Sequence, residues 1–292
     1  MDVTIFLQLV IGGVLLGGIY ALVAFGLSLV YGVVRILNFS HGTLLAVGGI
    51  MASLAYTELG LPPYVSAAFL VFAFGIFGRL FFQFMLEPLM KRRHSEAEIG
   101  VVLVTVGALM MMGDIAAYLA GPTPKNIPLR FEPVILGDII LSTTQLYAFG
   151  GILLLTVVLH FFLRYSWFGR AIRAESQDSF GAAICAIPGR ALHGNTFAFG
   201  CALVAIAAVL YAMMFPVDPY MGFSLTVKAF TIIILGGIGN LTGSLLAGIL
   251  LGVTESLAAF LIGSAWAPGI SIMLLLVILV VRPQGLFGGK VA

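Results

Sequence analysis

Apolar runs close to the twenty residues that a helix needs to cross roughly 30 Å of hydrocarbon alternate with short polar interruptions along the whole chain. Barrel strands would be about ten residues long and alternating, and that pattern is missing. The predicted fold is all-α, a polytopic transmembrane helical bundle forming one membrane domain over residues 1–292. Nine segments are expected: Ile5–Val34, Thr43–Tyr56, Tyr64–Leu86, Ile99–Ala120, Thr144–Leu163, Leu192–Phe215, Ser224–Ile238, Leu241–Ile262 and Trp266–Val281. The first is long enough to tilt or protrude, and the seventh, fifteen residues, is thin for a full crossing.

Three interruptions carry most of the information. Arg35 to Gly42 and Gly236 to Asn240 break the helical pattern. Transporters use such breaks to offer free backbone groups and half-helix ends to a solute without whole charges, so Asn38, Ser40, His41, Gly42, Gly237 and Asn240 are candidate pathway residues. Asn38 and His41 have a second reading, as caps of a helix starting at Gly42. Asn38–Ala46 resembles Asn240–Ala247 with one residue skipped, as an internal repeat would, although the spacing does not suit equal tandem halves. Gly121 to Thr143, with four prolines, reads as an exposed loop.

The longest polar island is Tyr165 to Arg190. Gly169 to Gln177 suits a short helix with Ala171 and Ile172 against the protein and Arg170, Arg173 and Gln177 sharing another side. Asp178 or Ser179 suits the cap of a second helix through Phe180, Ile184 and Ile187, ending at Pro188-Gly189. Such a rigid knob is a handle by which a second protein could move this one; the alternative is an ordinary solvated loop.

Composition agrees with the membrane assignment. Apolar residues make up 61% and charged residues 9%, against roughly 25% charged in soluble domains. Thirty-six glycines suit close helix approach, and Gly13 and Gly17 form a small-xxx-small pair. With the island in the cytoplasm, Arg35, Lys91, Arg92, Arg93, Arg164, Arg170, Arg173, Arg190, Arg282 and Lys290 all fall inside and only Lys125 and Arg130 outside. That bias favours nine crossings, with the N-terminus out and the C-terminus in. The first apolar run has no basic lead or small-residue cleavage site and is expected to remain in the mature protein. Cys185 and Cys201 form neither a disulfide framework nor a metal-ligand spacing.

Three charges fall within the spans. Lys228 and Glu255 suit an ion pair between packed helices, a structural pair ahead of a substrate ligand, and Asp114 suits either a helix-to-helix hydrogen bond or proton sensing. No Walker A loop, GxGxxG turn, HExxH or GxSxG is present, so the chain is expected to bind no nucleotide, metal or cofactor of its own and to break no bond. Nothing points to a nucleic-acid partner.

Gly26-Leu-Ser-Leu-Val-Tyr31-Gly32, Arg35-x-Leu37-Asn38-Phe39-Ser40-His41-Gly42, Thr105-Val-Gly107, Gly169-Arg170-Ala171-x-Arg173-Ala174, Lys228-Ala229-Phe230, Leu235-Gly-Gly-Ile-Gly239 and Arg282-Pro-Gln-Gly-Leu-Phe287 together resemble the branched-chain amino acid ABC transporter permeases, the shorter of the two. The resemblance implies an importer of the bacterial cytoplasmic membrane. Its partners would be a second homologous permease, two cytosolic ATPase subunits that bind ATP and Mg, and an extracytoplasmic solute-binding protein. It makes the island a coupling segment seated on the ATPase, with Gly169, Arg170, Arg173, Glu175 and Asp178 as candidate transmitting residues. The chain departs from the pattern at Ala186-Ile187-Pro188 and at Glu87. Other small amides and carboxylates remain open as solutes, and the competing class is a proton-coupled secondary transporter that would titrate Asp114 or Glu255.

Overall fold

The computed structural model describes residues 3–91, 94–129, 131–136, 139–282 and 285–286. Arg92, Arg93, Arg130, Pro283, Gln284, Phe287 and Lys290 lie outside the described residues. The fold is an all-α polytopic helical bundle with one small hairpin. Its helices are α1 (Val3–Val34), α2 (His41–Leu59), α3 (Pro63–Phe81), α4 (Glu87–Met90), α5 (His94–Ala120), α6 (Thr143–Tyr165), α7 (Trp167–Gln177), α8 (Ser179–Ile184), α9 (Gly189–Met214), α10 (Gly222–Gly236), α11 (Leu241–Ile262) and α12 (Ala267–Val281). A π turn over Phe82–Leu86 joins α3 to α4. Every expected span has its helix. Seven are long and apolar enough to cross a membrane, while α10 and the apolar part of α12 are shorter. At fifteen residues α10 reaches about 22 Å, less than the roughly 30 Å of hydrocarbon.

Helix α1 is the axis. Its 32 residues extend about 48 Å, and from Ile19 to Val30 every residue is buried. Its most extensive contact is with α11, followed by α9 and α10. Two helices of equal polarity to lipid gain nothing from hydrophobic exclusion, so close backbone approach and dispersion must hold them together. The sequence meets this with glycine on both partners. A Cβ on Gly13 would lie 2.6 Å from the Val253 Cα, and one on Gly17 would lie 2.6 Å from the Ile249 Cα. Gly248 and Gly252 answer from α11, a Cβ on Gly248 coming within 2.7 Å of the Gly17 carbonyl oxygen. The same device joins α1 to α9, where a Cβ on Gly26 would sit 2.6 Å from the Gly200 oxygen.

Two expectations need correction. The Gly121–Thr143 connection is not all loop: Val134–Leu136 (β1) and Ile139–Leu141 (β2) pair as an antiparallel hairpin, and Lys125 bridges to Val217. These pairings give backbone groups partners where proline excludes helix. In the island, α8 stops at Ile184 instead of running to Pro188. Ala186 adopts a left-handed conformation (φ 59°) and the Ile187 N–H donates to the Ala182 oxygen, which closes the helix a turn early. Pro188-Gly189 instead opens α9.

Replacing Gly17 with valine should therefore reduce the monodisperse fraction in mild detergent at least fivefold and lower its thermal midpoint by about 10 °C, an overpacking cost of roughly 1–3 kcal/mol or more. Gly12→Ala, one turn away with nothing within 4 Å of its Cβ position, should leave both unchanged.

Candidate functional site: two helix breaks, a buried ion pair and a braced knob

The first break dips back into the bundle. After Val34 the chain turns at Arg35, a non-glycine residue at φ 56°, and His41 begins α2 level with the middle of α1, its Nε2 3.2 Å from the Val23 carbonyl oxygen. Asn38 does not cap α2. Its Oδ1 accepts from the Ser40 N–H at 3.1 Å and the Ser40 hydroxyl at 2.7 Å, closing the turn before the helix. The first free N–H of α2 is satisfied from another helix, where Gly42 N donates to Thr226 Oγ1 of α10 at 2.9 Å. Thr226 Oγ1 also lies within donating distance of the Phe39 oxygen (3.0 Å) and the Gly222 oxygen (2.9 Å). The N-terminal turns of α2 and α10 cross in backbone contact, a Cβ on Gly222 falling 2.6 Å from the Thr43 Cα. Thr226 was missed in the sequence because a threonine in an apolar run carries no signal of the turn it serves.

The second break follows α10. Gly237 (φ 85°) and Gly239 (φ 78°) take conformations that favour glycine, and Asn240 caps α11, its Oδ1 accepting from Gly243 N at 3.0 Å. The break is tied to α1 by Gly239 N donating to Ser28 Oγ at 3.1 Å. Gly236 packs against Gly243, with a Cβ there only 2.6 Å from the Gly243 carbonyl carbon. The terminal Gly285-Leu286 folds back on it: Leu286 N donates to the Leu235 oxygen at 2.8 Å, capping α10 from the far end of the chain. The six sequence-predicted pathway residues thus divide between two breaks flanking the C-terminal half of α1. Asn38, Ser40 and His41 are buried, with Asn38 Nδ2 and His41 Nδ1 lacking hydrogen-bond partners among the described residues.

Lys228 and Glu255 do pair. The Nζ of Lys228 on α10 is 2.5 Å from Glu255 Oε1 on α11 and 2.7 Å from the Tyr20 hydroxyl on α1. Both residues are more than nine-tenths buried, so the pair stitches three helices where neither charge could be left alone. Asp114 is not brought to them. It projects from the exposed side of α5, and no bond or ion pair links it to any described residue.

The island forms the two helices expected, anchored more firmly than a loop. Ser166 Oγ accepts from Gly169 N at 3.0 Å to cap α7, and Asp178 Oδ1 accepts from Phe180 N at 3.0 Å to cap α8. Gly169 is required by space, because a Cβ there would fall 2.5 Å from the Leu163 Cα of α6. Arg170 donates to the Tyr165 oxygen at 3.2 Å. Arg173 donates to the Leu163 oxygen at 2.5 Å and the Arg164 oxygen at 3.2 Å, so both guanidinium groups serve the carbonyl end of α6. Glu175 is buried and its Oε1 lies 3.0 Å from His193 Nε2, tying α7 to α9. Glu87, a departure from the family pattern, pairs with Arg190 and lies 3.6 Å from Lys91 Nζ. A groove of about 660 Å³ runs from Gly169 and Arg173 to Gly239, Asn240 and Thr242, placing the foot of the knob beside the second break. The tip is apolar and uncovered, with Phe180 76% and Ile184 71% exposed.

These features define a polytopic helical membrane protein of the permease class: a bundle with interrupted helices and an external handle, with no catalytic constellation among the described residues. Residues 9–281 match the family model described as branched-chain amino acid transport system / permease component. The chain belongs to that family. It is 30% identical over 296 residues to the high-affinity branched-chain amino acid transport system permease protein LivH of Salmonella typhimurium, covering 97% of this chain and 96% of the relative. It is 31% identical to the corresponding permease protein BraD of Pseudomonas aeruginosa, again over 97% and 96%. A probable branched-chain amino acid transport permease protein of Methanocaldococcus jannaschii is 26% identical over 95% and 91%. Among solved structures, PsaBC from Streptococcus pneumoniae in complex with Fab shares the fold, with a TM-score of 0.50 at 14% identity over 96% of this chain and 92% of that one.

Lys228→Met should destabilise the chain strongly, by about 3–5 kcal/mol, because it strands Glu255 in the interior. The double variant Lys228→Met/Glu255→Met should recover most of the loss; thermal unfolding in detergent, followed by size-exclusion fluorescence, checks the order.

Proposed function

We propose that this chain is the translocation subunit of an ABC importer of branched-chain amino acids or related small amides and carboxylates in the bacterial cytoplasmic membrane. It acts beside a second permease and above two cytosolic ATPase subunits, and receives solute from an extracytoplasmic binding protein. The observation that carries the reading is the knob: its apolar tip has no cover, while its base is fixed to α6, to α9 and beside the second helix break. The relatives, whose names specify high-affinity branched-chain amino acid transport, support the solute class.

The geometry suits alternating access. ATP and Mg, held by the partner subunits, supply the closure that moves α8. Phe180 and Ile184 take the push, and Arg173 carries it to the carbonyl end of α6. Glu175 with His193 carries it to α9. Because α9 crosses α1 through Gly200 on Gly26, and the foot of the knob adjoins the Asn240 break, a tilt of the knob shifts the helices around both breaks together. Arg170 and Arg173 therefore act as fixtures of the lever arm instead of reaching across to the ATPase.

A proton-coupled carrier is the competing class, and Lys228 already occupies Glu255. Uptake in vesicles separates the two: it should require internal ATP and persist when a protonophore collapses the proton gradient. Uptake that persists without ATP and stops with the gradient would overturn the importer reading.

Within that reading, Phe180→Asp/Ile184→Asp should cut co-purified ATPase at least tenfold while the permease stays inserted. Arg173→Glu should keep the ATPase bound but lower solute moved per ATP hydrolysed about tenfold. Equal ATPase recovery from the tip variant and the unsubstituted chain would contradict the docking role.

A further inference from the structure

The groove at the foot of the knob has a chemistry that the lever arm does not use. Leu29 of α1, Leu163 of α6 and Ile172 of α7 give it a buried apolar floor, and Arg164, Arg173 and His160 stand along its rim. No carboxylate lines it among the described residues. The acids of the knob are engaged elsewhere, Glu175 with His193 of α9 and Asp178 as the cap of α8. Arg190 and Lys91, by contrast, share Glu87. Arg173 serves the α6 carbonyl groups, whereas Arg164 has no ion pair among the described residues and its guanidinium carbon lies 5.7 Å from the centre of the Tyr165 ring. Two guanidinium groups with no acid between them form a site for an anion, and their planar forks suit a phosphate.

The surroundings indicate what carries that phosphate. Leu154, Val157 and Phe161 precede Arg164 at intervals of three or four residues and are exposed, so an apolar ridge runs along α6 into the groove. Thr242 lines the groove on α11, and Leu246 and Leu250 follow it at intervals of four, both exposed, as a second ridge. Both helices lean on α1. The exposed rings of Tyr165 and Trp167 sit at the level of the groove, as aromatic side chains do at the headgroup region. We infer that the groove holds the headgroup phosphate of an anionic phospholipid, with Arg164 on the phosphate, Arg173 beside it and the acyl chains along the two ridges. A zwitterionic lipid would bring a quaternary ammonium against the same cations. The importer reading supplies only the leaflet, the cytoplasmic one; groove and ridges are the same whichever way the chain is inserted. Seated there, the lipid fills the space between the knob and the Asn240 break.

Native mass spectrometry of the full chain, released from micelles holding equal phosphatidylglycerol and phosphatidylcholine, tests this. Phosphatidylglycerol should be retained at least tenfold over phosphatidylcholine. An arginine near an anionic lipid surface contributes about fivefold in affinity, so Arg164→Gln should lower that retention about fivefold, and Arg164→Lys should keep it within twofold. Lys91→Gln, which removes a basic group already matched by Glu87, should also keep it within twofold. Phosphatidylglycerol should raise the thermal midpoint of the unsubstituted chain in detergent, and inorganic phosphate should not. Equal retention of the two lipids, unchanged retention with Arg164→Gln, a loss with Lys91→Gln as large as with Arg164→Gln, or stabilisation by inorganic phosphate as large as that by the lipid would overturn the inference. The chain is tested without partners, so missing ATPase subunits leave this result standing, and absent lipid selectivity leaves the importer reading standing.

Discussion

Everything in this bundle hangs on the crossing of α1 with α11. Lipid tails are as apolar as leucine, so burying leucine against leucine does not hold two spans together, and backbone proximity has to supply the attraction. Gly13 and Gly17 on one helix and Gly248 and Gly252 on the other bring the chains into main-chain contact, and around that seam the remaining helices are arranged. Tyr20, one turn on, meets the Lys228–Glu255 pair, so α10 is fixed to the same seam by a charge that has nowhere else to go. Further along α1, Ser28 holds the second break and Gly26 receives α9.

On the proposed importer reading, the glycine seam is the fixed part and the two interrupted helices are the movable ones. Breaks in lipid are tolerated only where other protein groups satisfy the exposed backbone, and here the debts are met across the fold: Thr226 serves α2, Leu286 serves α10, Ser28 serves the Gly239 turn. Each is a hydrogen bond between separate elements, set at the first break beside the close contact of Gly222 with Thr43 and at the second beside that of Gly236 with Gly243. On that reading, motion delivered by the knob to α6 and α9 is taken up at the breaks, while α1 and α11 keep their register.

Much of the fold was legible in the sequence because hydrocarbon thickness fixes span length and lipid forbids charge. All nine apolar segments were found at their places, and the Lys228–Glu255 pairing followed from the cost of leaving either charge alone. Other features were not legible because they depend on what lies opposite in space. Nothing in Arg173 distinguishes a residue that reaches for a partner from one that caps the helix before it. Asn38 is buried at a break but closes its own turn, whereas Thr226, silent in the sequence, does the capping. Ala186 ends α8 with a left-handed conformation that the sequence reserves for glycine or asparagine. The apolar span marks Asp114 as an intramembrane charge, and only the packing of α5 shows that it faces away from the rest of this chain.

Gentle extraction of the chain from its native membrane, followed by mass spectrometry of the intact assembly, reaches the central claim most directly. An assembly of this chain with a second permease of similar size and two ATPase subunits is the expected result. The chain recovered alone, or only with copies of itself, in repeated mild extractions that preserve other membrane complexes would contradict it.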